Sequence, residues 1–300
     1  MIHQPSQHRI RRNDPRRLRV GAVQYLNTRP LVHGLAAAGV DVRYDLPSRL
    51  ADQLASGILD VALIPSIEVF RGGHSVVSNA CIGCHGPVMS VKLFFRKAPE
   101  KITTLAVDEG SRTSATLARI LLAERHGVFP TVETLPIGSG LADTAADAVL
   151  LIGDRAIDSR GSTERAAGCF QVIWDLGDEW CRWTGLPFVF AVWAARDGVD
   201  AGPLEPLLAR ARDSGIANLA AIAAAEAAAH GLTVPQCLSY LHDNLHYHLE
   251  ARELEALALF RRHAVGLNLA PAERETFQAS KRGRRPAGIM VADHERSDSR

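Results

Sequence analysis

The feature that most constrains this chain is the way its apolar periods alternate between residues 18 and 66. "LRVGAVQYLN" spaces its apolar residues as a strand does and stops at Asn27, while "TRPLVHGLAAAG" sets Pro30 near a helix start and Gly39 at its end. "VDVRYDLP" reads as a second strand, "SRLADQLASG" as a helix with Ser48 at its N-cap, and "ILDVALIPS" as a third strand ending at Pro65 and Ser66. Strands joined through helices run parallel, so the chain is an α/β protein.

The order repeats after "SVKLFFRKAP", which reads as a connecting strand. "ITTLAVDEG" predicts a strand, "SRTSATLARILLAERHG" a helix opened by small hydroxyl residues, and "ADAVLLIGDRAI" a strand ending at Gly153 and Asp154. "CFQVIWDLGDEWCRWTGLPFVFAVWAAR" predicts a short strand, a polar aromatic loop and a strongly apolar strand, and everything from Gly202 to about Gly266 is predicted to be helical. Together these predict two lobes joined by a double crossover, with boundaries near Leu93 and Phe190. The expected division is a disordered basic leader (1–17), a first lobe (18–93), a second lobe (94–190), a return to the first lobe with the C-terminal helices (191–270), and a disordered polar tail (271–300).

A chain of 300 residues with 47% hydrophobic content can bury two such cores, and a net charge of +1 supplies no global field for nucleic acid or an acidic membrane. The Arg-rich leader lacks an aromatic platform and reads as solvated. No apolar signal core follows it, and no stretch is long enough to span a bilayer, so a cytoplasmic protein is expected. The cysteines at 81, 84, 169, 181 and 237 are an odd set at irregular spacing, expected as free thiols. Cys81-Ile82-Gly83-Cys84-His85 matches the C-x-x-C-H pattern of haem attachment. Without an export signal, and without a fourth ligand at zinc-finger spacing, it reads as coincidence.

In open α/β sheets ligands sit in the crevice beyond the carboxyl ends of the strands. The predicted cleft loops are therefore Asn27-Thr28-Arg29, Pro65-Ser66, Ser90, Ser111-Arg112-Thr113-Ser114 and Gly153-Asp154. Several of them open helices, whose free N–H groups and positive dipole end suit a small carboxylate ligand. The Arg112 fork adds a bidentate donor. The structural alternative is that Ser111 or Thr113 simply caps its helix and Arg112 is solvated. His242, His246 and His248 in "HDNLHYH" invite a metal reading, but the segment is polar enough to be an exposed helix face.

"VGAVQYLNTRPL", "DVALIPSIEV", "GPVMSVKLFFRK", "SRTSATLARILL", "DAVLLIGDRA" and "DLGDEWCRWTGLPFVFAVWAAR", in this order from about Leu18 to about Gly266, resemble the chorismate dehydratase family of the futalosine route to menaquinone. The Cys-Ile-Gly-Cys-His piece is not a feature of that family. The resemblance implies a periplasmic-binding-protein-like type II fold: two α/β lobes with an interlobe cleft and a C-terminal helical segment. It also implies chorismate as the small-molecule substrate, and no cofactor or metal. The family's catalytic positions fall on Asn27 and Ser90, and the cleft loops supply the expected substrate-binding set: Thr28, Arg29, Ser66, Ser111, Arg112, Thr113, Ser114, Gly153 and Asp154. Two alternatives share the fold: a sister pathway enzyme that cleaves cyclic dehypoxanthine futalosine, and a solute-binding protein without chemistry.

Overall fold

The structure is a computed structural model that describes residues 18–157 and 170–272; the leader, most of the expected tail and Cys169 lie outside the described residues. The strands are Val20–Val23 (β1), Val42–Asp45 (β2), Val61–Pro65 (β3), His74–Cys84 (β4), Val91–Phe95 (β5), Thr104–Asp108 (β6), Thr131–Leu135 (β7), Ala148–Ile152 (β8), Val172–Asp175 (β9), Phe188–Arg196 (β10) and His246–His248 (β11). They form two sheets, ordered β11-β4-β10-β3-β1-β2 and β7-β6-β8-β5-β9.

The two sheets follow one plan. In the first, β1 lies parallel between β2 and β3, and β10 runs antiparallel between β3 and β4. In the second, β6 lies parallel between β7 and β8, and β5 runs antiparallel between β8 and β9. Apart from the edge strand β11, which pairs antiparallel with β4, the antiparallel member of each sheet is the strand that has just crossed from the other. The crossings fall between Cys84 and Val91 and between Thr184 and Phe188, a few residues before the positions expected at Leu93 and Phe190, both of which lie inside strands.

Residues that pattern as continuous apolar runs fill the central strands: β3, β8 and nearly all of β10 are buried, as sheets covered on both faces require. The covering helices are Pro47–Ala55 (α1), Ser66–Arg71 (α2), Thr113–His126 (α3), Asp154–Ile157 (α4), Leu176–Thr184 (α5), Glu205–Ala217 (α6), Leu219–Glu226 (α7), Val234–Ser239 (α8) and Ala251–Gly266 (α9).

Several local expectations change. Pro47, whose fixed φ suits the first helical turn, starts α1 after Leu46, so Ser48 lies inside the helix. The segment expected to form a polar aromatic loop is α5. Its N-cap Asp175 accepts from the amides of Gly177 and Asp178, and the helix buries Trp180, whose indole N–H donates to the Pro187 carbonyl at 2.9 Å. The helical tail is interrupted by a π turn, Tyr240–Asn244, and by β11, which pairs with β4. His242, His246 and His248 therefore do not form one helix face.

Asn27 was expected at the end of the first strand. It lies instead inside a 3-10 helix, Leu26–Val32, that contains Pro30. Helix α6 packs on this element so closely that a Cβ on Gly215 would stand 2.0 Å from the Pro30 carbonyl oxygen. Neither backbone can give way without moving the turn that carries Asn27. Gly215→Ala is expected to cost about 1–3 kcal/mol by overpacking, read as a lower urea midpoint at unchanged slope.

Candidate active site

A cleft opens between the sheets, enclosing about 500 Å³ of space that is continuous with solvent. The first sheet and its loops contribute Tyr25, Asn27, Pro47, Ile82 and Phe190; the second contributes Ser111, Arg112, Ser114, Ile152 and Gly153; Val88 and Ser90 come from the first crossing. Arg112 is the single ionisable cation or anion in the lining.

Asn27 and Ser90 meet at the inner end. Asn27 is 8% exposed and Ser90 1%. The Ser90 backbone is fixed on both sides: its amide donates to the Val88 carbonyl at 2.7 Å, and its own carbonyl accepts from Gly153 at 2.8 Å. The Tyr240 hydroxyl lies close to both, fully buried behind the cavity wall and without a hydrogen-bond partner. Burial dominates its titration and drives its pKa far above that of free tyrosine. Tyr240 was not on the sequence-derived set. It arrives from the π turn, and an insertion of that kind has no signature in apolar periodicity.

Tyr25, inside the "YLN" motif, was also missed. Its hydroxyl is buried without a partner, and burial, then the charges of Asp108 and Asp154, raise its pKa. Tyr25 and Tyr240 are thus protonated donors at neutral pH.

The remaining expected residues divide between cavity and frame. At the start of α3 the Ser111 hydroxyl accepts from the Ala115 amide at 3.1 Å, while the amides of Thr113 and Ser114 lie in the first turn, where no intrahelical acceptor exists. This end of a 14-residue helix faces the cavity and suits an anion. Arg112 reaches across the cleft, donating to Asp52 at 2.7 Å and lying 3.3 Å from Glu68. Ser66 donates to the Val189 carbonyl at 2.7 Å, and the Thr113 hydroxyl accepts from the Ile67 amide at 3.2 Å. Ser66 therefore sits at the join of the sheets and is not in the cavity wall.

Asp154 also acts across the join. Its carboxylate accepts from the Leu26 amide at 3.1 Å, at the open end of the 3-10 helix, and pairs with His230 at 3.2 Å. Burial raises its pKa, opposed by the Leu26 amide and His230. The start of the 3-10 helix is thus capped from the second sheet. Thr28 is fully buried beneath the cavity, and Arg29 turns away to Glu226 at 3.2 Å. Neither lines the cleft.

A family model described as "Menaquinone biosynthesis" matches residues 18–265. The chain belongs to that menaquinone-biosynthesis family. It is 34% identical over 266 residues to a chorismate dehydratase of Thermus thermophilus, covering 84% of this chain and 96% of the relative. Among solved structures, the periplasmic aliphatic sulphonate binding protein SsuA of Escherichia coli superposes with a TM-score of 0.59 at 14% identity, covering 93% of this chain and 97% of that one. The alkanesulfonate-binding protein SsuA of Xanthomonas axonopodis pv. citri, bound to MOPS, gives 0.60 at 14% identity over 85% and 94%. These likenesses show the fold alone: periplasmic-binding-protein-like, in mixed α/β form with two sheets.

Gly153 is the tightest point of the cavity wall. It has φ +61°, and a Cβ there would meet the Tyr25 ring at 2.6 Å. Gly153→Ala is expected to cost about 1–3 kcal/mol through backbone strain and to push Tyr25 into the cavity. The variant should melt lower and lose most of the thermal stabilisation that a cleft ligand gives the parent.

Proposed function

We infer that the chain is a chorismate dehydratase, a hydro-lyase that removes water from chorismate to give 3-[(1-carboxyvinyl)oxy]benzoate in menaquinone biosynthesis. The observation that carries this reading is the relationship to the Thermus thermophilus enzyme, which extends over nearly all of that protein. The cleft between the sheets, lined by Asn27 and Ser90, agrees with it.

In the reaction the C3 proton and the C4 hydroxyl leave and the ring becomes aromatic, so the driving force lies in the substrate. The protein has to hold two carboxylates, orient the C3–H and C4–O bonds, and help the hydroxyl depart. The first turn of α3 offers free amides to one carboxylate. Ser90 lines the cavity and offers a hydroxyl donor, with the buried Tyr240 hydroxyl within reach behind it. An amide is too weak a base to take the C3 proton, so Asn27 orients the substrate while the enolpyruvyl carboxylate of chorismate accepts the proton. A cytoplasmic location belongs to the same reading, as the biosynthetic role implies; no helix among the described residues is long and apolar enough to cross a membrane.

The direct test is to incubate the purified protein with chorismate and, separately, with cyclic dehypoxanthine futalosine, and to identify products by mass. Loss of water from chorismate is the expected result; cleavage of the nucleoside alone would assign the sister reaction. The mechanism is tested at Asn27. Asn27→Asp places a carboxylate against a dianion and beside Asp154, so both binding and turnover should fall. Asn27→Ala should keep more of the binding and lose turnover by about 10- to 1,000-fold. An Asp variant as active as the parent would make residue 27 the base.

A further inference from the structure

Outside the cleft, three potential ligands converge that are distant in sequence. His85 stands at the start of the first crossing, His246 on β11 and Glu253 in the first turn of α9. His85 Nε2 lies 2.8 Å from Glu253 Oε1, His246 Nε2 lies 3.6 Å from the same oxygen, and one donor atom from each residue falls within 4.8 Å of the others. The two imidazoles face each other with ring centres 4.1 Å apart. A tetrahedral site with bonds of about 2.0–2.1 Å holds its donors roughly 3.3 Å apart, so modest rotation of the rings brings all three to one centre.

From this geometry we propose that His85, His246 and Glu253 form a binding site for a borderline divalent metal ion of the zinc class. Two imidazoles and one carboxylate make a donor set that favours zinc and its neighbours over calcium or magnesium, which prefer all-oxygen shells. The Glu253 side chain is 3% exposed, and its second oxygen accepts from the Glu250 amide at 3.1 Å, which orients the carboxylate. His246 Nε2 is buried and makes no hydrogen bond, so a buried lone pair or proton is left without a partner.

The adjacent cysteines are not part of the set. Cys81 and Cys84 are fully buried in β4, and burial raises the Cys81 thiol pKa far beyond neutrality. Cys84 is also raised, first by its hydrogen bond with Cys181 and then by burial. Of the C-x-x-C-H pattern only the histidine is offered.

The ion would join the first crossing to β11 and α9. That crossing is already held near this point by Asn244, which donates to the Pro87 carbonyl at 2.9 Å. Because none of the three ligands lines the cavity, the proposal stands apart from the dehydratase reading and is tested without turnover.

The full chain, treated with chelator and dialysed, is titrated with zinc by calorimetry and with cobalt while the visible ligand-field bands are recorded. The expected result is saturable binding of about one equivalent, a cobalt spectrum of a low-coordinate nitrogen–oxygen site, and a higher melting temperature with zinc. His85 is half-exposed, so His85→Ala leaves the fold intact, as far-UV circular dichroism will check. His85→Ala and His246→Ala should each weaken binding by about tenfold or more and abolish the cobalt bands. Either no saturable binding to the parent, or equal affinity and an unchanged spectrum in the His85→Ala/His246→Ala double variant, would overturn the proposal.

Discussion

The carboxylate of Asp175 fixes both crossings between the sheets. It accepts from the amides of Val88 at 2.9 Å and Met89 at 2.7 Å on the first crossing, and from Gly177 at 3.0 Å and Asp178 at 3.2 Å at the start of α5, which leads into the second. Met89 has φ +61°, a conformation that a side chain disfavours and that persists only when its surroundings impose it. The next residue is Ser90. Burial raises the Asp175 pKa while these amides oppose the shift, so the four donors are what make a buried anion tolerable here. One side chain thus delivers Ser90 to the cleft and starts the helix that packs Trp180 into the core.

The polar residues at the strand ends serve a frame as well as a site. Asp154 to Leu26 and Thr113 to Ile67 are hydrogen bonds from the second sheet to the first, the first partly and the second fully buried. Arg112 to Asp52 is a partly exposed ion pair, the kind that contributes little net stability. A cleft closed by a few such ties can exchange them for contacts with a ligand at small net cost. Arg112 is the residue best placed to do so, because it lines the cavity and its present partners lie on α1 and α2 across the opening.

The parts legible in the sequence are those where one period dominates. The parallel strands β1, β3, β6 and β8 and the long helix α3 follow directly from their apolar spacing. Strand β4 escapes notice because "HSVVSNACIGC" mixes polar residues into both faces and its pairing with β10 slips at two places. Helix α5 reads as a loop in sequence because it is only nine residues long and is dense in Gly, Asp and Glu at its start. Asn27 and Ser90, named through a resemblance in local motifs, line the cavity. Tyr240 reaches their neighbourhood by tertiary packing of a π turn that no local pattern announces.

The chemistry of the inner cleft can be argued from what surrounds it. Asn27, Ser90, Tyr25 and Tyr240 are uncharged, and burial holds both phenols protonated. The carboxylates whose charge Tyr25 feels, Asp108 and Asp154, are already committed. Asp108 pairs with Arg155 at 2.9 Å and accepts from the Gly110 amide at 2.9 Å, while Asp154 holds Leu26 and His230. Using either as a base would mean breaking an interaction that holds the second sheet's loops or the join itself. The neutral cluster can donate hydrogen bonds to a departing hydroxyl but has nothing to accept a carbon-bound proton. That division of labour favours a substrate that carries its own base into a site built to orient it.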